Sequence, residues 1–190
     1  SFVHEVLEFL YKEDSPNRTH EVLKKIATDL WTSGGWADKV VSLDKKTGTL
    51  LDFKRAAFES FTNLWVLEDP MVTEIDGIEV EVVATVSGVL MKGYIDRFIF
   101  SEDGSVVISD YKTGKIPNPK FKSEDDKFFQ LLCYALMLDA SEQETTSRLE
   151  LLYLTQKAKH DLVVTAEKLE TARSVIVKTR SEIEAACQSE

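Results

Sequence analysis

A mixed α/β fold, a β-sheet flanked by helices, is what this 190-residue chain predicts. Three observations carry that reading. Apolar residues recur at helical spacing through the first third of the chain. Val and Ile then crowd between turn dipeptides over residues 71–113. After that, helical and strand-like patterns alternate to the end.

The elements follow in order. Residues 2–13, FVHEVLEFLYKE, place Val3, Val6, Leu7 and Leu10 on one helical face. Ser15 is a candidate N-cap with Pro16 at the first position of a second helix, which runs to about Trp31. Gly34-Gly35 stops it, and residues 36–49 read as irregular. A third helix over about 50–67 carries Leu51, Phe58, Phe61, Leu64 and Trp65. From Pro70 the pattern changes. Asp76-Gly77, Ser87-Gly88 and Asp103-Gly104 punctuate an antiparallel meander over 71–113. Residues 114–122 hold Gly114, Pro117 and Pro119 and read as a loop. Ser123 with Asp126 resembles a capping box that opens a helix to about Leu138. The apolar run 149–154 and a short strand near 161–165 come next. Thr165 then caps an amphipathic helix reaching about Ala186. The expected order is ααα-βββ-α-ββ-α. Residues 1–190 read as one domain, with a helical part over 1–69, a sheet-bearing part over 70–165 and a last helix over 166–188.

Composition narrows the function. Apolar residues make up 43% and charged residues 29%, values of an ordinary globular chain. No apolar run reaches the roughly 18 residues of a membrane span. The opening SFVHEVLEFL carries acidic residues where a secretory signal carries basic ones, so the cytoplasm is expected. Cys133 and Cys187 alone make neither a disulfide framework nor a four-thiolate metal site. The net charge is −10. That argues against a free-standing, non-specific DNA binder, because such affinity comes from cations neutralising phosphates. It leaves room for an enzyme with a local basic groove, or for a module carried by a partner.

The segment 93–114, GYIDRFIFSEDGSVVISDYKTG, carries the chemistry. Asp110 and Lys112 are two apart on a strand and so share a face. Asp96 lies on the strand before. Two registers are open. A three-residue loop Glu102-Asp103-Gly104, with the glycine left-handed, pairs Ser101 with Ser105 and sets Asp96 opposite Asp110. A two-residue Asp-Gly turn shifts the register by one and sends Asp96 to the other face. In the first register two carboxylates and a lysine converge. Such carboxylates repel at neutral pH and call for a cation between them. Oxygen donors on a rigid platform suit Mg²⁺ or Mn²⁺. Lys112 would orient water or stabilise developing negative charge. The chemistry this suggests is phosphodiester hydrolysis.

Four stretches, HEVLE over 4–8, GYIDR over 93–97, DYKTGK over 110–115 and QLLCY over 130–134, resemble in order and spacing the RecB-like branch of the PD-(D/E)XK nuclease superfamily, including its actinobacterial and phage exonucleases. The resemblance implies a restriction-endonuclease-like core and a metal-dependent DNA exonuclease of repair, recombination or phage DNA processing. It makes His4, Asp96, Asp110 and the Tyr111 carbonyl metal ligands, and Asp96, Asp110 and Lys112 the catalytic set. Gln130 and Tyr134 match a Q-x-x-x-Y helix that steadies the site and the DNA strand; their i,i+4 spacing puts both on one face. Lys115, Lys120 and Lys122 form the basic loop beside the site. Gly114 would let the chain turn after the strand. An acidic residue ahead of G-x-I-D-R corresponds to Glu79 or Glu81. The implied partners are single-stranded DNA or DNA ends, with a helicase or other recombination protein, and no membrane. Some relatives hold an iron–sulfur cluster on four cysteines; two distant cysteines do not support one here. The rival reading is a DNA-end-binding or scaffolding subunit that cleaves little itself. Arg97 is expected to pair with a carboxylate, His20 and His160 to lie at the surface, and Trp31, Trp36 and Trp65 to pack between helices.

Overall fold

The computed structural model describes residues 1–42, 49–118, 120, 124–142 and 144–188. The capping residue expected at Ser123 and the loop lysine Lys122 lie outside them. Six α-helices and five strands appear among the described residues, in the order α1 (Phe2–Lys12), α2 (His20–Ser33), α3 (Trp36–Ser42), α4 (Leu50–Leu67), β1 (Gly77–Val86), β2 (Val89–Phe100), β3 (Val106–Lys112), α5 (Glu124–Glu142), β4 (Thr146–Tyr153), β5 (Ala158–Val163) and α6 (Ala166–Gln188).

The sheet runs β1-β2-β3-β4-β5, each strand beside its neighbour in sequence. β1 and β2 join through Ser87-Gly88, both with positive φ (50° and 81°). That is the signature of a tight two-residue hairpin whose twist matches its strands. β3 and β4 run parallel. The Val106 amide bonds the Thr145 carbonyl at one end of the pair (2.8 Å), and the Leu154 amide bonds the Lys112 carbonyl at the other (2.9 Å). A parallel pair needs a crossover, and α5 supplies it. The sheet is therefore mixed and flanked by helices, the α/β architecture that the alternation of patterns predicts.

Two compact units divide the chain. The first comprises Ser1–Ile78, Tyr111–Ile116 and Leu152–Lys159. Its core joins Phe2, Val3, Val6, Leu7, Leu10 and Tyr11 of α1 to Leu23 of α2, to Ala57, Phe61 and Leu64 of α4, and to Tyr111, Leu152 and Leu154. Each large apolar side chain buried this way contributes about 1.5–3 kcal/mol. Phe2 sits edge-on to Trp31 and Trp36, with centroids 5.4 and 5.3 Å away. Trp65 stacks on His20 at 3.8 Å. The three tryptophans thus pack between helices, half-buried.

Two expectations are corrected in this unit. Ser15 does not cap α2. Ser15–Asn17 make a short 3-10 turn, and Thr19 caps instead, its hydroxyl accepting from the Val22 amide at 3.2 Å. The turn leads into Arg18, which is buried. Its guanidinium donates to the carbonyls of Glu13 (2.9 Å) and Thr73 (2.8 Å), and more weakly to those of Tyr11 and Pro70. Residues 36–42 are not irregular but form α3. Gly35, at φ +62°, breaks the chain from α2 and restarts it, and its carbonyl accepts from the Lys39 amide at 3.1 Å. Trp36 anchors this turn by donating to the Glu5 carboxylate at 2.8 Å. α4 starts with a full capping box of Thr49 and Asp52. Those Thr49 hydrogen bonds hold the Asp52 carboxyl below its usual range.

The second unit comprises Glu79–Asp110, Pro117–Leu151 and His160–Glu190. In it α5 and α6 pack on each other and both touch β2. β3 is buried from Val106 through Tyr111, as expected of a central strand covered on both faces. Ile95, Ile108, Phe128, Leu131, Leu136 and Leu149 are fully buried.

Candidate metal centre

The site is built by the turn between β2 and β3. The Ser101 amide donates to the Ser105 carbonyl (2.8 Å), and the Gly104 amide donates to the Ser101 carbonyl (2.8 Å). Gly104 stands at φ +81°. This is the three-residue loop with a left-handed glycine, not the two-residue turn. Asp103 locks it by accepting from the Ser105 hydroxyl and amide at 2.7 and 2.9 Å. Those two bonds, the hydroxyl's first, hold the Asp103 carboxyl below its ordinary range.

The turn sets the register. Arg97 pairs with Ser109, Phe98 with Ile108, Ile99 with Val107 and Phe100 with Val106, antiparallel. One more step along this ladder sets Asp96 opposite Asp110. A carboxylate oxygen of each lies within 4.8 Å of the other. Asp110 is buried and Asp96 half-buried. Octahedral bonds of about 2.0–2.1 Å place two donors roughly 3–4 Å apart. A small rotation of either side chain closes the difference, so the donor set fits a hard divalent cation.

The other face of the same strands is engaged differently. Arg97 and Glu150 are buried, and the Ser109 hydroxyl donates to Glu150 at 2.9 Å. Arg97 alternates with Asp96 along β2 and so points away from the carboxylate pair. Being 4% exposed, it does not offer itself to a phosphate.

Within the first unit, the His4 Nε2 lies 2.7 Å from the Tyr111 carbonyl oxygen. Position 3 of the capping arrangement places His4 there: its own amide donates to the Ser1 hydroxyl at 3.3 Å, and α1 buries its other side. The Tyr111 ring stacks parallel to that of Tyr11 at 6.3 Å. Lys112, half-buried, ends β3 two residues beyond Asp110. Lys115 is exposed. Gly114 has no positive φ, and a Cβ there would meet open space; the backbone does not demand a glycine, which corrects that expectation.

On α5 the Gln130 amide donates to the Tyr134 hydroxyl at 2.9 Å, so the i,i+4 pair does share a face. Sequence reasoning missed what Tyr134 rests on. A Cβ at Gly93 would lie 2.4 Å from a Tyr134 ring carbon. Gly93 therefore lets the edge of the ring come up against the β2 backbone three residues ahead of Asp96. A glycine inside a strand pattern was the available sign of such close approach. Of the two acids left open at the start of β1, Glu81 accepts from the Tyr94 hydroxyl at 2.5 Å and pairs with Lys92 at 2.9 Å. The Tyr94 and Lys92 bonds keep its carboxyl below the usual range. Glu79 has φ +48°, a left-handed conformation uncommon for a residue other than glycine.

A sequence model of the PD-(D/E)XK nuclease superfamily matches residues 1–189. No curated protein matches the chain. No helix among the described residues is long and apolar enough to cross a membrane.

Proposed function

Because the chain belongs to the PD-(D/E)XK nuclease superfamily, a group of metal-dependent nucleases, we propose that it is a DNA exonuclease of the RecB-like branch, acting on single strands or DNA ends. The observation that carries this reading is the register: it opposes Asp96 and Asp110, with carboxylate oxygens within 4.8 Å, immediately before the strand reaches Lys112. Asp96 and Asp110 are the proposed side-chain ligands for Mg²⁺ or Mn²⁺. The Tyr111 carbonyl and His4 Nε2 are the proposed further donors, supported by their 2.7 Å approach. A cation held there would lower the pKa of a coordinated water and neutralise charge on the phosphoryl group.

The chain's own residues do the rest. Asp96 and Asp110 would hold the ion beside the scissile phosphate. The Lys112 ammonium orients the attacking water and stabilises charge on the phosphoryl oxygens. Gln130, Tyr134 and Lys115 are the proposed DNA contacts, and Tyr134 also steadies β2 through Gly93. The net charge of −10 favours a helicase or other recombination protein as the carrier to DNA, in repair, recombination or phage DNA processing.

The test is degradation of labelled single-stranded, linear duplex and closed circular DNA with Mn²⁺ or Mg²⁺. The expected result is metal-dependent loss of the first two, sparing of the circle, and no activity in a folded Lys112→Ala protein. Cleavage that persists in Lys112→Ala would overturn the assignment of that lysine, and cleavage of the closed circle would overturn the exonuclease reading.

A further inference from the structure

The first unit carries a second feature that the metal centre does not use. A cleft of about 440 Å³ opens between α2 and α4, closed at its base by Phe2 of α1. That volume lies in the range of ligand-binding clefts, about 300–1,000 Å³. α2 lines it with Lys24, Ala27, Thr28 and Trp31, a repeating i,i+3,i+4,i+7 face. α4 answers with Lys54, Phe58 and Phe61.

Three properties limit what could fill it. The charged lining residues are Lys24 and Lys54 alone, in a chain whose net charge is −10. Cation and ring alternate across the cleft: the Lys54 ammonium lies 4.4 Å from the Trp31 ring centroid. Phe58, next on the same α4 face, leaves 58% of its surface to solvent. Lastly, the cleft shares Phe2 and Ala57 with an adjoining hollow of about 240 Å³ that reaches Thr113, the residue after Lys112. That hollow includes one carboxylate, Glu59.

We propose that the α2–α4 cleft binds single-stranded nucleic acid, with Phe58 stacking on a base and Lys24 and Lys54 neutralising the flanking phosphates. A chain of alternating flat rings and anions matches a wall of alternating rings and cations. Only a single strand offers free base faces to stack. The choice of nucleic acid over an acidic amphipathic peptide rests on the nuclease reading and on the continuity toward Thr113. Glu59 marks where phosphates are disfavoured, so the strand turns its bases there.

The experiment is fluorescence anisotropy of a labelled oligothymidylate, in EDTA so that nothing is cleaved. All the altered side chains are exposed, and circular dichroism confirms that each variant folds. Phe58→Ala should weaken binding about 5- to 150-fold, the effect of one stacked base. Lys24→Ala with Lys54→Ala should lower the slope of log affinity against log salt by about 1.4, at roughly 0.7 per phosphate contact. Glu59→Gln should tighten binding. Unchanged affinity in Phe58→Ala and in the double lysine variant would overturn the proposal. So would a glutamate-rich amphipathic peptide that binds the wild type, is lost in Phe58→Ala and leaves the bound oligothymidylate in place. Metal-dependent hydrolysis by the wild type is scored separately, so a failed nuclease and a failed cleft give different results.

Discussion

The opposed carboxylates make a quantitative demand that Asp110→Asn tests. Two unit charges no more than 4.8 Å apart repel by about 3.5 kcal/mol at an effective dielectric of about 20. The fold holds them there because the β2–β3 register leaves no alternative. A divalent cation relieves that repulsion, and any ion bound by the native state alone raises its stability. At 100 times its dissociation constant the gain is about 2.7 kcal/mol. For a chain of this size each kcal/mol moves the melting temperature by about 2–4 °C. Saturating Mn²⁺ should therefore raise the wild-type melting temperature by about 5–11 °C. Asp110→Asn keeps the shape but removes one charge and one strong oxygen donor. Without metal it should melt above the wild type, because one of the two repelling charges is gone, and Mn²⁺ should move it by less than about 2 °C. Differential scanning fluorimetry with and without Mn²⁺ reads both. A wild type that ignores Mn²⁺, or a variant that responds as strongly, would refute the reasoning.

Gly93→Ala should destabilise by about 1–3 kcal/mol in denaturant titration, because the new methyl must displace the Tyr134 ring; combined with Tyr134→Ala, the two losses should be clearly less than additive. Arg18→Ala should cost about 3–5 kcal/mol, read the same way, since it strips donors from a cluster of carbonyls in a buried place. Burial pushes the Cys133 thiol up to about 11, so at pH 8 the thiolate is scarce as well as hidden. Maleimide should label the exposed Cys187 at once and Cys133 only on unfolding, giving one adduct native and two denatured by mass spectrometry.

The chain's local patterns were strong enough to carry most elements. α1 and α4 were legible because apolar spacing and a sharp end coincided at each. β1–β3 were legible because Ser87-Gly88 and Asp103-Gly104 supply backbone conformations that few other pairs supply. α3 was not legible: seven residues are too few to show a period, and its start depends on Gly35 turning the chain. The start of α2 was misplaced because Ser15-Pro16 and Thr19 are both acceptable caps. The structure caps the helix at Thr19, next to the buried Arg18, whose guanidinium reaches carbonyls as far away as that of Thr73.

The candidate site divides along the same line. Residue identity and spacing singled out Asp96, Asp110 and Lys112 as candidates, because carboxylates and an amine on neighbouring strands have a chemistry of their own, and the motif resemblance gave them their proposed roles. Whether the two acids shared a face was undecidable from spacing, since a one-residue change in the turn reverses every side chain of β2. The hydrogen bonds of Ser101, Ser105 and Gly104 made that choice. The load on Gly93, the buried side of Arg97 and the cleft between α2 and α4 likewise belong to tertiary structure. Each depends on which distant helix or strand lies against a residue, and short-range periodicity holds no record of that.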